Sequence, residues 1–452
     1  MSNTQLTEFS ATKDLERYAS SCGAPDWVEA LRAAARGRFA ISDWPSMRDE
    51  EWRRSDISSY DFDSYHVTPA ERDSEREAER ASAPQFSSSA EEAAGVIAFE
   101  GLDRVAYTLS PEAEAAGVLF VPLSRVLSEA NHDPRMAEAR KAVERLWGAA
   151  VRQAENRVQL WHYSTLTHGA VLYVPRNQEV QKPFELRFSY DGDKAFFAPH
   201  LFAIAETGAR ATVTLRSSGT AEGEVLVNAG FDFEVGDNGA LNIAELHDLN
   251  IDSSLFSNGT GYIGRDATGS HFTGQFGGMF TKTRVDGHLN GSGGNLHLDG
   301  VYFGREDQHM DLRTVQRHNA PNALSLALYK GAMLDEARSV YQGLIYVDHD
   351  ATQTDAYLTN NNLLLNDGAR ADSIPCLQIH TNDVKCSHGS TTGKIDRNQQ
   401  HYLQTRGFSE AEAKQMLVAG YFDEVIARAP ESLREELREI VAARILKTLE
   451  DE

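Results

Sequence analysis

Cysteines, basic side chains and long apolar runs are all scarce in this 452-residue sequence. Its three cysteines, Cys22, Cys376 and Cys386, are an odd number in a large chain, so we expect reduced thiols rather than a disulfide framework. The 67 Asp and Glu residues outnumber the 44 Lys and Arg residues, and the net charge of -23 would repel a phosphate backbone. No run reaches the roughly 18 to 20 apolar residues of a membrane-spanning helix. Nucleic acid and membranes are therefore not expected partners.

The N-terminal sequence lacks the apolar core of a secretory signal. It reads MSNTQLTEFSATKDLERYAS, which is polar and charged. We therefore expect a cytoplasmic protein. The chain is also too long for one ordinary hydrophobic core, so two or three domains are predicted.

Helical periodicity is typical of the N-terminal part. Trp27, Leu31 and Ala35 recur at helical spacing after a Pro-Asp pair that suits a helix start. A second Ala-, Glu- and Arg-rich run follows, so residues 1–165 are predicted to form an N-terminal helical domain. The segment near residues 70–95 is charged, Ser/Ala-rich and without an apolar stripe, which predicts a low-complexity insert.

Residues 166–395 show a different pattern, with short alternating runs between small-residue turns. Ala211, Val213 and Leu215, for example, alternate with polar residues, and this period of two predicts strands with one buried face. The turns share a theme, as in TGAR, NGAL and DGAR. An all-β array is predicted, and a sandwich, a barrel and a solenoid all remain open. The recurrence of similar turns favours a β-helix, in which each coil covers the apolar face of the next.

Residues 396–452 are predicted to form a C-terminal helical domain. A capping-box sequence, SEAE, precedes a helix that aligns Leu417, Tyr421 and Val425 on one face. The simpler interpretation of this stripe is packing within the chain. Because a two-helix appendage has little core of its own, the stripe could also present apolar surface to a partner.

Two glycine-containing motifs imitate nucleotide-binding sequences. Gly259, Gly261 and Gly264 match G-x-G-x-x-G, but the following residues cannot sustain the helix that a dinucleotide site needs, so coincidence is favoured. Residues 389–396, GSTTGKID, have one residue too few between the glycines and lack the hydroxyl residue after the lysine. We therefore expect no ATPase site at this sequence.

The octapeptide DVKCSHGS at residues 383–390 contains a candidate metal-binding pair. In a strand, Cys386 and His388 point to the same side. Two ligands are too few for a closed site, and no H-E-x-x-H or C-x-x-C motif supplies others. From the residues alone, a metal site, a catalytic thiol with its base and an ordinary loop all remain open.

Several segments carry a resemblance to a known family. They lie at residues 354–396, 328–347, 402–417 and, more weakly, 48–58, and the first contains N-N-L-L-L followed by D-V-K-C-S-H-G. This set resembles the SufD branch of the SufB/SufD family, which belongs to the Suf iron-sulfur cluster assembly system. The paralogous SufB carries a cysteine where this chain has Ala369, which favours the SufD branch.

The resemblance implies a right-handed parallel β-helix between two helical domains and a scaffold role without catalysis. It implies pairing with a SufB-like paralogue through the β-helix ends, and binding of a SufC-like ATPase by the C-terminal helices around Leu417, Tyr421 and Val425. It also implies that His388, and less directly Cys386, face a transient iron-sulfur cluster shared with SufB. A flavin is compatible with the family but receives no support from the sequence.

Two other functions remain as alternatives. A β-helix carbohydrate-active enzyme would use paired carboxylates along its coils, although such enzymes commonly act outside the cell. The other alternative is a β-helix homodimer without a metal role, since the paralogues share one architecture.

Overall fold

The computed structural model describes residues 24–66, 92–102, 104–127, 133–166, 168–219 and 223–450, with side chains as far as residue 445. Most of the insert predicted near residues 70–95 therefore lies outside the described residues, and so does Cys22. The helices are α1 (Asp26–Ile41), α2 (Pro111–Ala115), α3 (Leu123–Leu127), α4 (Pro134–Gln153), α5 (Arg157–Thr165), α6 (Arg397–Thr405), α7 (Glu410–Ile426) and α8 (Glu431–Glu450).

Strands make up most of the described chain. They are β1 (Gly95–Glu100), β2 (Arg104–Leu109), β3 (Leu119–Pro122), β4 (His168–Val174), β5 (Phe184–Tyr190), β6 (Ala195–Phe197), β7 (Pro199–Ala205), β8 (Arg210–Gly219), β9 (Val225–Val235), β10 (Ala240–Asp248), β11 (Ser254–Ile263), β12 (Thr268–Gln275), β13 (Phe280–Leu289), β14 (Asn295–Gly304), β15 (His309–His318), β16 (Leu324–Met333), β17 (Arg338–Val347), β18 (Thr354–Leu364), β19 (Arg370–Ile379) and β20 (Val384–Lys394).

From β4 onward, apart from β6, successive strands alternate between two sheets. Sheet A has the order β19-β17-β15-β13-β11-β9-β7-β4-β3, and sheet B has the order β2-β1-β5-β8-β10-β12-β14-β16-β18-β20. From β4 and β5 onward each strand pairs in parallel with the strand one coil later. The result is a parallel β-solenoid of about eight turns with helices at both ends. The predicted β-helix is confirmed, and the sandwich and barrel alternatives are excluded.

Most of the recurring turns, TGAR and NGAL among them, lie at one corner of the solenoid, stacked coil upon coil, whereas DGAR lies at another corner, between β18 and β19. Asn238 and Asp266 occupy the first corner with φ of 58° and 53°, and Gly208 and Gly293 adopt φ of 71° and 74°. Each turn donates a backbone hydrogen bond to the next coil, as from Asn238 N to Arg265 O at 2.8 Å. Asn, Asp and Gly tolerate the left-handed conformation best, which explains the repeated turn sequences.

The G-x-G-x-x-G motif lies within β11 and has a packing role. A Cβ atom at Gly259 would come within 1.9 Å of the Phe231 ring, and one at Gly261 within 2.1 Å of the Phe233 ring. Both rings belong to the buried core of the solenoid. The glycines therefore make room for stacked aromatic rings, in agreement with the interpretation of the motif as coincidence.

The N-terminal region contains strands as well as the expected helices. Strands β1, β2 and β3 extend the two sheets at the N-terminal end of the solenoid, where β1–β2 and β3–β4 are antiparallel. Helices α1, α4 and α5 pack beside them on the outer face of sheet A. A short strap around Trp52 also crosses this face: Lys282 Nζ donates to Glu51 O at 3.1 Å and lies 4.6 Å from the centroid of the Trp52 ring.

The C-terminal helices cover the outer face of sheet B. Phe422, Leu437 and Val441 of α7 and α8 are buried against Phe272, Val301 and other outward residues of the sheet. Ion pairs surround this apolar contact: Lys330 pairs with Glu424 at 2.8 Å, and Arg216 with Glu436 at 2.8 Å. Of the helices within the described ranges, none is long and apolar enough to cross a membrane.

Candidate functional site

The C-terminal end of the solenoid is bare. β19 and β20 are the last strands of the two sheets, so each has one edge without a neighbouring strand in the sheet order. Most of their residues are exposed or half-buried, whereas the preceding strands β16 and β17 are mostly buried. Unpaired backbone N–H and C=O groups on such edges are able to pair with strands of another chain.

His388 lies on the inward face of this last coil. The parallel register places it beside Leu358, which in turn pairs with Ala327, and both of these side chains are buried in the core. Residues in register share a face of the sheet, so the imidazole continues an inward-facing column. Because no further coil follows, His388 is exposed at the open end.

Cys386 shares this inward face, as the period of two predicts. It pairs in register with Ala356 and packs, half-buried, against the core. Burial raises the pKa of the Cys386 thiol, and the nearby Asp355 raises it further. The thiolate is the form that binds metal. In the chain alone, burial therefore favours the thiol form of Cys386.

Cys376 lies on the other side of the same coil. In β19, Leu377 and Ile379 pair with Ile345 and Val347, whose side chains are fully buried. Cys376 alternates with Leu377 and Ile379, so it occupies the outward face, where it is exposed. The two described cysteines therefore do not face each other.

No complete metal site was found in the described part of the chain. Among those residues, no group of three or more His, Cys, Asp or Glu side chains is arranged to hold a metal ion. His388 and Cys386 alone are too few to form a closed metal site.

The asparagine-rich motif before the octapeptide forms hydrogen bonds to the core and to the last strand of sheet B. Asn360 Nδ2 donates to Tyr302 OH at 2.9 Å, Tyr302 OH donates to Asn362 Oδ1 at 2.5 Å, and Asn362 Nδ2 donates to Asn360 Oδ1 at 2.8 Å. On the opposite face, Thr391 Oγ1 donates to Asn361 Oδ1 at 2.7 Å. This network ties β18 to the buried core and to β20. Tyr302 is far away in the sequence, and no local pattern points to its role.

Apolar side chains flank the open end. Leu377 in β19 is 39% exposed and Tyr357 in β18 is 43% exposed. Exposed large apolar groups beside unpaired strand edges are typical of a protein–protein contact. Neither residue was singled out from the sequence.

The predicted partner-binding stripe on α7 is only partly available. Val425 is 0% exposed and packs against sheet B, so its side chain is not accessible in this structure, and its assignment to a partner contact stays a prediction. Tyr421 is half-buried, and Lys330 lies 4.9 Å from the centroid of its ring. Leu417 is half-buried. Packing within the chain therefore accounts for most of the stripe, because α7 turns this face to the solenoid.

A different side of the C-terminal helices is exposed. Tyr402 is 55% exposed, Phe408 is 39% exposed and Met416 is 46% exposed. All three lie on α6, on α7 or in the connection between them. They form the exposed apolar surface of this region, which we call the helix patch.

Comparison with known proteins identifies the family of this solenoid. Residues 188–421, more than half of the chain, match the family model described as "SUF system FeS cluster assembly, SufBD core domain". An iron-sulfur cluster assembly SufBD family protein of Mycobacterium tuberculosis is 33% identical over 293 residues, covering 62% of this chain and 72% of the relative. The protein SufD of Escherichia coli is 33% identical over 288 residues, covering 62% and 66%, and SufD of Bacillus subtilis is 24% identical over 341 residues, covering 75% and 76%.

The fold and these matches define the class of protein: a β-solenoid protein of the SUF system for iron-sulfur cluster assembly. The chain belongs to the SufBD family. The resemblance noted from residues 328–347 and 354–396 is confirmed, since both segments lie within the matched range.

Proposed function

We propose that this chain is the SufD-like, non-catalytic scaffold subunit of a complex with a SufB-like paralogue and a SufC-like ATPase. In this proposal, residues 166–395 carry the solenoid that meets the paralogue, and residues 396–452 carry the helices that meet the ATPase. The nascent iron-sulfur cluster is the cargo of the complex. The observation that carries the proposal is the exposed His388 at a bare solenoid end.

An incomplete ligand set at a strand edge favours a site shared between two chains. A partner that pairs with β19 or β20 would cover Leu377 and Tyr357 and bring its own ligands towards His388. Imidazole is able to replace thiolate at an iron-sulfur centre. Separation of the two chains would then dismantle the site, so ATP-driven motion of the ATPase subunit is able to gate cluster assembly or release.

Replacement of His388 tests the ligand role. In the co-expressed three-protein complex, His388→Ala should leave the complex assembled and lower anaerobic cluster maturation by at least about tenfold, because a ligand is lost. Ser387→Ala is the matched control, since Ser387 is exposed on the opposite face of the same strand. Maturation by His388→Ala at the wild-type rate would contradict the ligand role.

A pair of apolar-to-charged changes tests the docking end. Leu377→Asp should abolish co-purification with the paralogue, because the charge would be buried at the contact. Val105→Asp is the control: Val105 is 41% exposed on β2, at the opposite end of sheet B. If the two variants retain the paralogue equally, the open end is not the contact. Recovery of only a homodimer would favour the alternative without a metal role.

The helix patch is the proposed contact for the ATPase. Met416→Asp should weaken co-purification of the ATPase subunit without affecting the paralogue. Met47→Asp serves as the control, because Met47 is 55% exposed in the N-terminal region. Equal retention of the ATPase by both variants would exclude the helix patch.

A further inference from the structure

Two histidine rings lie side by side at one corner of the last two coils. His349 follows β17 and His380 follows β19, and both lie in turns that lead from sheet A to sheet B. The centroids of the two imidazole rings are 5.0 Å apart, and the ring planes are inclined by 36°. Both side chains are exposed. The pair is therefore open to solvent and does not contribute to the hydrophobic core.

The backbone fixes the two turns relative to each other. Val347 and Ile379 form the last register pair of β17 and β19. The N–H of His380 donates to Val347 O at 3.0 Å, and the N–H of Gln353 donates to Asp383 O at 2.6 Å. The two histidines lie between these contacts in the sequence. Their separation is therefore set by the stacking of one coil on the next.

The spacing of the rings fits two ligands of one metal ion. Zinc binds an imidazole nitrogen at about 2.1 Å with tetrahedral geometry, so the centroids of two rings on one ion are about 5 Å apart. His349 and His380 have this separation before any metal is bound. The same distance also falls in the range of an ordinary aromatic contact, so the neighbours of the pair decide between the two interpretations.

The neighbours of His380 orient its ring and define its lone pair. The centroid of the Tyr346 ring lies 5.4 Å from that of His380, and Gln378 Nε2 lies 3.2 Å from His380 Nε2. An amide nitrogen only donates, so His380 Nε2 accepts and carries the lone pair of a neutral ring. Neutral imidazole is the form that binds metal. A metal ion at this nitrogen would take the place of the amide hydrogen.

The charge around the pair favours a cation. Asp348 and Asp350 flank His349 in the sequence, and Asp348 Oδ1 accepts from the N–H of His349 at 2.7 Å. In β15, the Arg317 guanidinium is paired with Glu155 at 3.7 Å, so it adds no uncompensated positive charge. The chain as a whole carries a net charge of -23. A divalent cation is therefore attracted to this corner rather than repelled.

We propose that His349 and His380 bind a divalent transition-metal ion of the zinc class, through one nitrogen of each ring. Imidazole suits zinc, iron, nickel and copper ions. Within the described residues, no third His, Cys, Asp or Glu side chain completes the group, so water fills the remaining positions of an open site. The site does not depend on the proposed function, because His388 lies on the inward face of β20, beyond the turn that contains His380.

Chemical modification of histidines in the intact chain tests the site. Diethyl pyrocarbonate reacts with the lone pair of a neutral imidazole, and a bound metal ion occupies that lone pair. Excess zinc chloride should slow the modification of His349 and His380 by at least about fivefold, by mass action. Peptide mass mapping over time measures each rate. His401, which is exposed on α6, should react equally fast with and without zinc.

Loss of one ligand should weaken binding at the other. In His349→Ala, the zinc concentration that half-protects His380 should rise by about tenfold or more. Asn382→Ala is the matched control, since Asn382 is exposed in the same turn as His380, and it should keep the wild-type value. Equal values in His349→Ala and wild type, or no protection in wild type, would overturn the site and leave only an aromatic contact.

His388→Ala distinguishes this site from the proposed cluster ligand. Zinc should protect His380 equally in His388→Ala and in wild type. Loss of protection in His388→Ala would mean that both histidines hold one ion, and a separate site would be wrong. If His349→Ala does not fold, His349→Gln takes its place, since it keeps a polar side chain of similar size, and the same shift of about tenfold is expected.

Discussion

His388 and Leu358 occupy matched positions in the last two strands of sheet B, yet Leu358 is 0% exposed and His388 is exposed. Two side chains of one inward-facing column therefore differ in their surroundings because a further coil covers Leu358 and none covers His388. The buried member contributes to stability, and the exposed member is free to bind another chain.

This relationship predicts unequal effects of two alanine substitutions on stability. Leu358→Ala should lower the free energy of unfolding by about 2–5 kcal/mol, because it leaves a cavity in the core. His388→Ala should change it by no more than about 0.5 kcal/mol. Urea unfolding of the isolated chain measures both. A large loss on His388→Ala would show that the imidazole is part of the fold.

The two described cysteines should react with alkylating reagents at different rates. Cys376 is exposed, whereas Cys386 is half-buried and its pKa is raised by burial. Reaction requires an accessible thiolate, so iodoacetamide should modify Cys376 before Cys386 at neutral pH. Peptide mass mapping over time measures the order. Faster modification of Cys386 would contradict the position given to it here.

The glycines of β11 should be intolerant of alanine. Gly259→Ala should lower the free energy of unfolding by about 1–3 kcal/mol, because the new methyl group would collide with the Phe231 ring. Gly393→Ala in β20 is the matched control, since a Cβ atom there would meet nothing within 4 Å. Urea unfolding compares the two. Equal midpoints would mean that the aromatic ring moves aside at little cost.

The attachment of the C-terminal helices should depend on pH through Asp299. Its carboxyl group is 3.1 Å from Arg428 Nη1, and burial raises its pKa to about 6. The folded state therefore holds this proton more tightly than the unfolded state, and the favourable contribution is lost as pH rises through about 6. Above this pH the carboxylate relies on Arg428.

Arg428→Met should consequently destabilise the protein more at about pH 8 than at about pH 5, by about 1 kcal/mol because Arg428 is partly exposed. Urea unfolding at the two pH values measures the difference. Arg438→Met, which removes only surface ion pairs to Asp423 and Glu435, should show no such difference. A pH-independent effect of Arg428→Met would mean that Asp299 is not the responsible group.

The solenoid was predictable because its local signals agree with its tertiary structure. Ala211, Val213 and Leu215, which alternate with polar residues, are indeed the buried inward residues of β8. The turn theme corresponds to left-handed residues such as Asn238 at one corner. Both signals repeat every coil, so the sequence contains them many times over.

The burial of outward faces was not predictable from periodicity. Thr214 and Asp232 lie on outward positions and would be expected to be exposed, yet each is 1% exposed. The C-terminal helices cover one of these faces and helix α5 covers the other. Such coverage depends on contacts between distant segments. Val425 is a further example. The sequence shows the apolar stripe to which it belongs, but it does not show that this stripe packs against sheet B.

The candidate site was predictable only as a pair of residues. The i, i+2 spacing placed Cys386 and His388 on one face, and the register confirms this. The difference in their exposure, and the Tyr302 network beneath them, arise from the position of the last coil and from contacts far apart in the chain.

The antiparallel strands at the other end of the solenoid restrict how copies or paralogues associate. A parallel stack is propagated most readily from a parallel edge, and β2 and β3 run against that direction. Head-to-tail growth into a fibre is thereby disfavoured, whereas two bare ends are able to meet face to face and close. Within the described residues, the fold therefore disfavours a fibre of stacked copies, because its parallel edges β19 and β20 lie only at the C-terminal end of the solenoid.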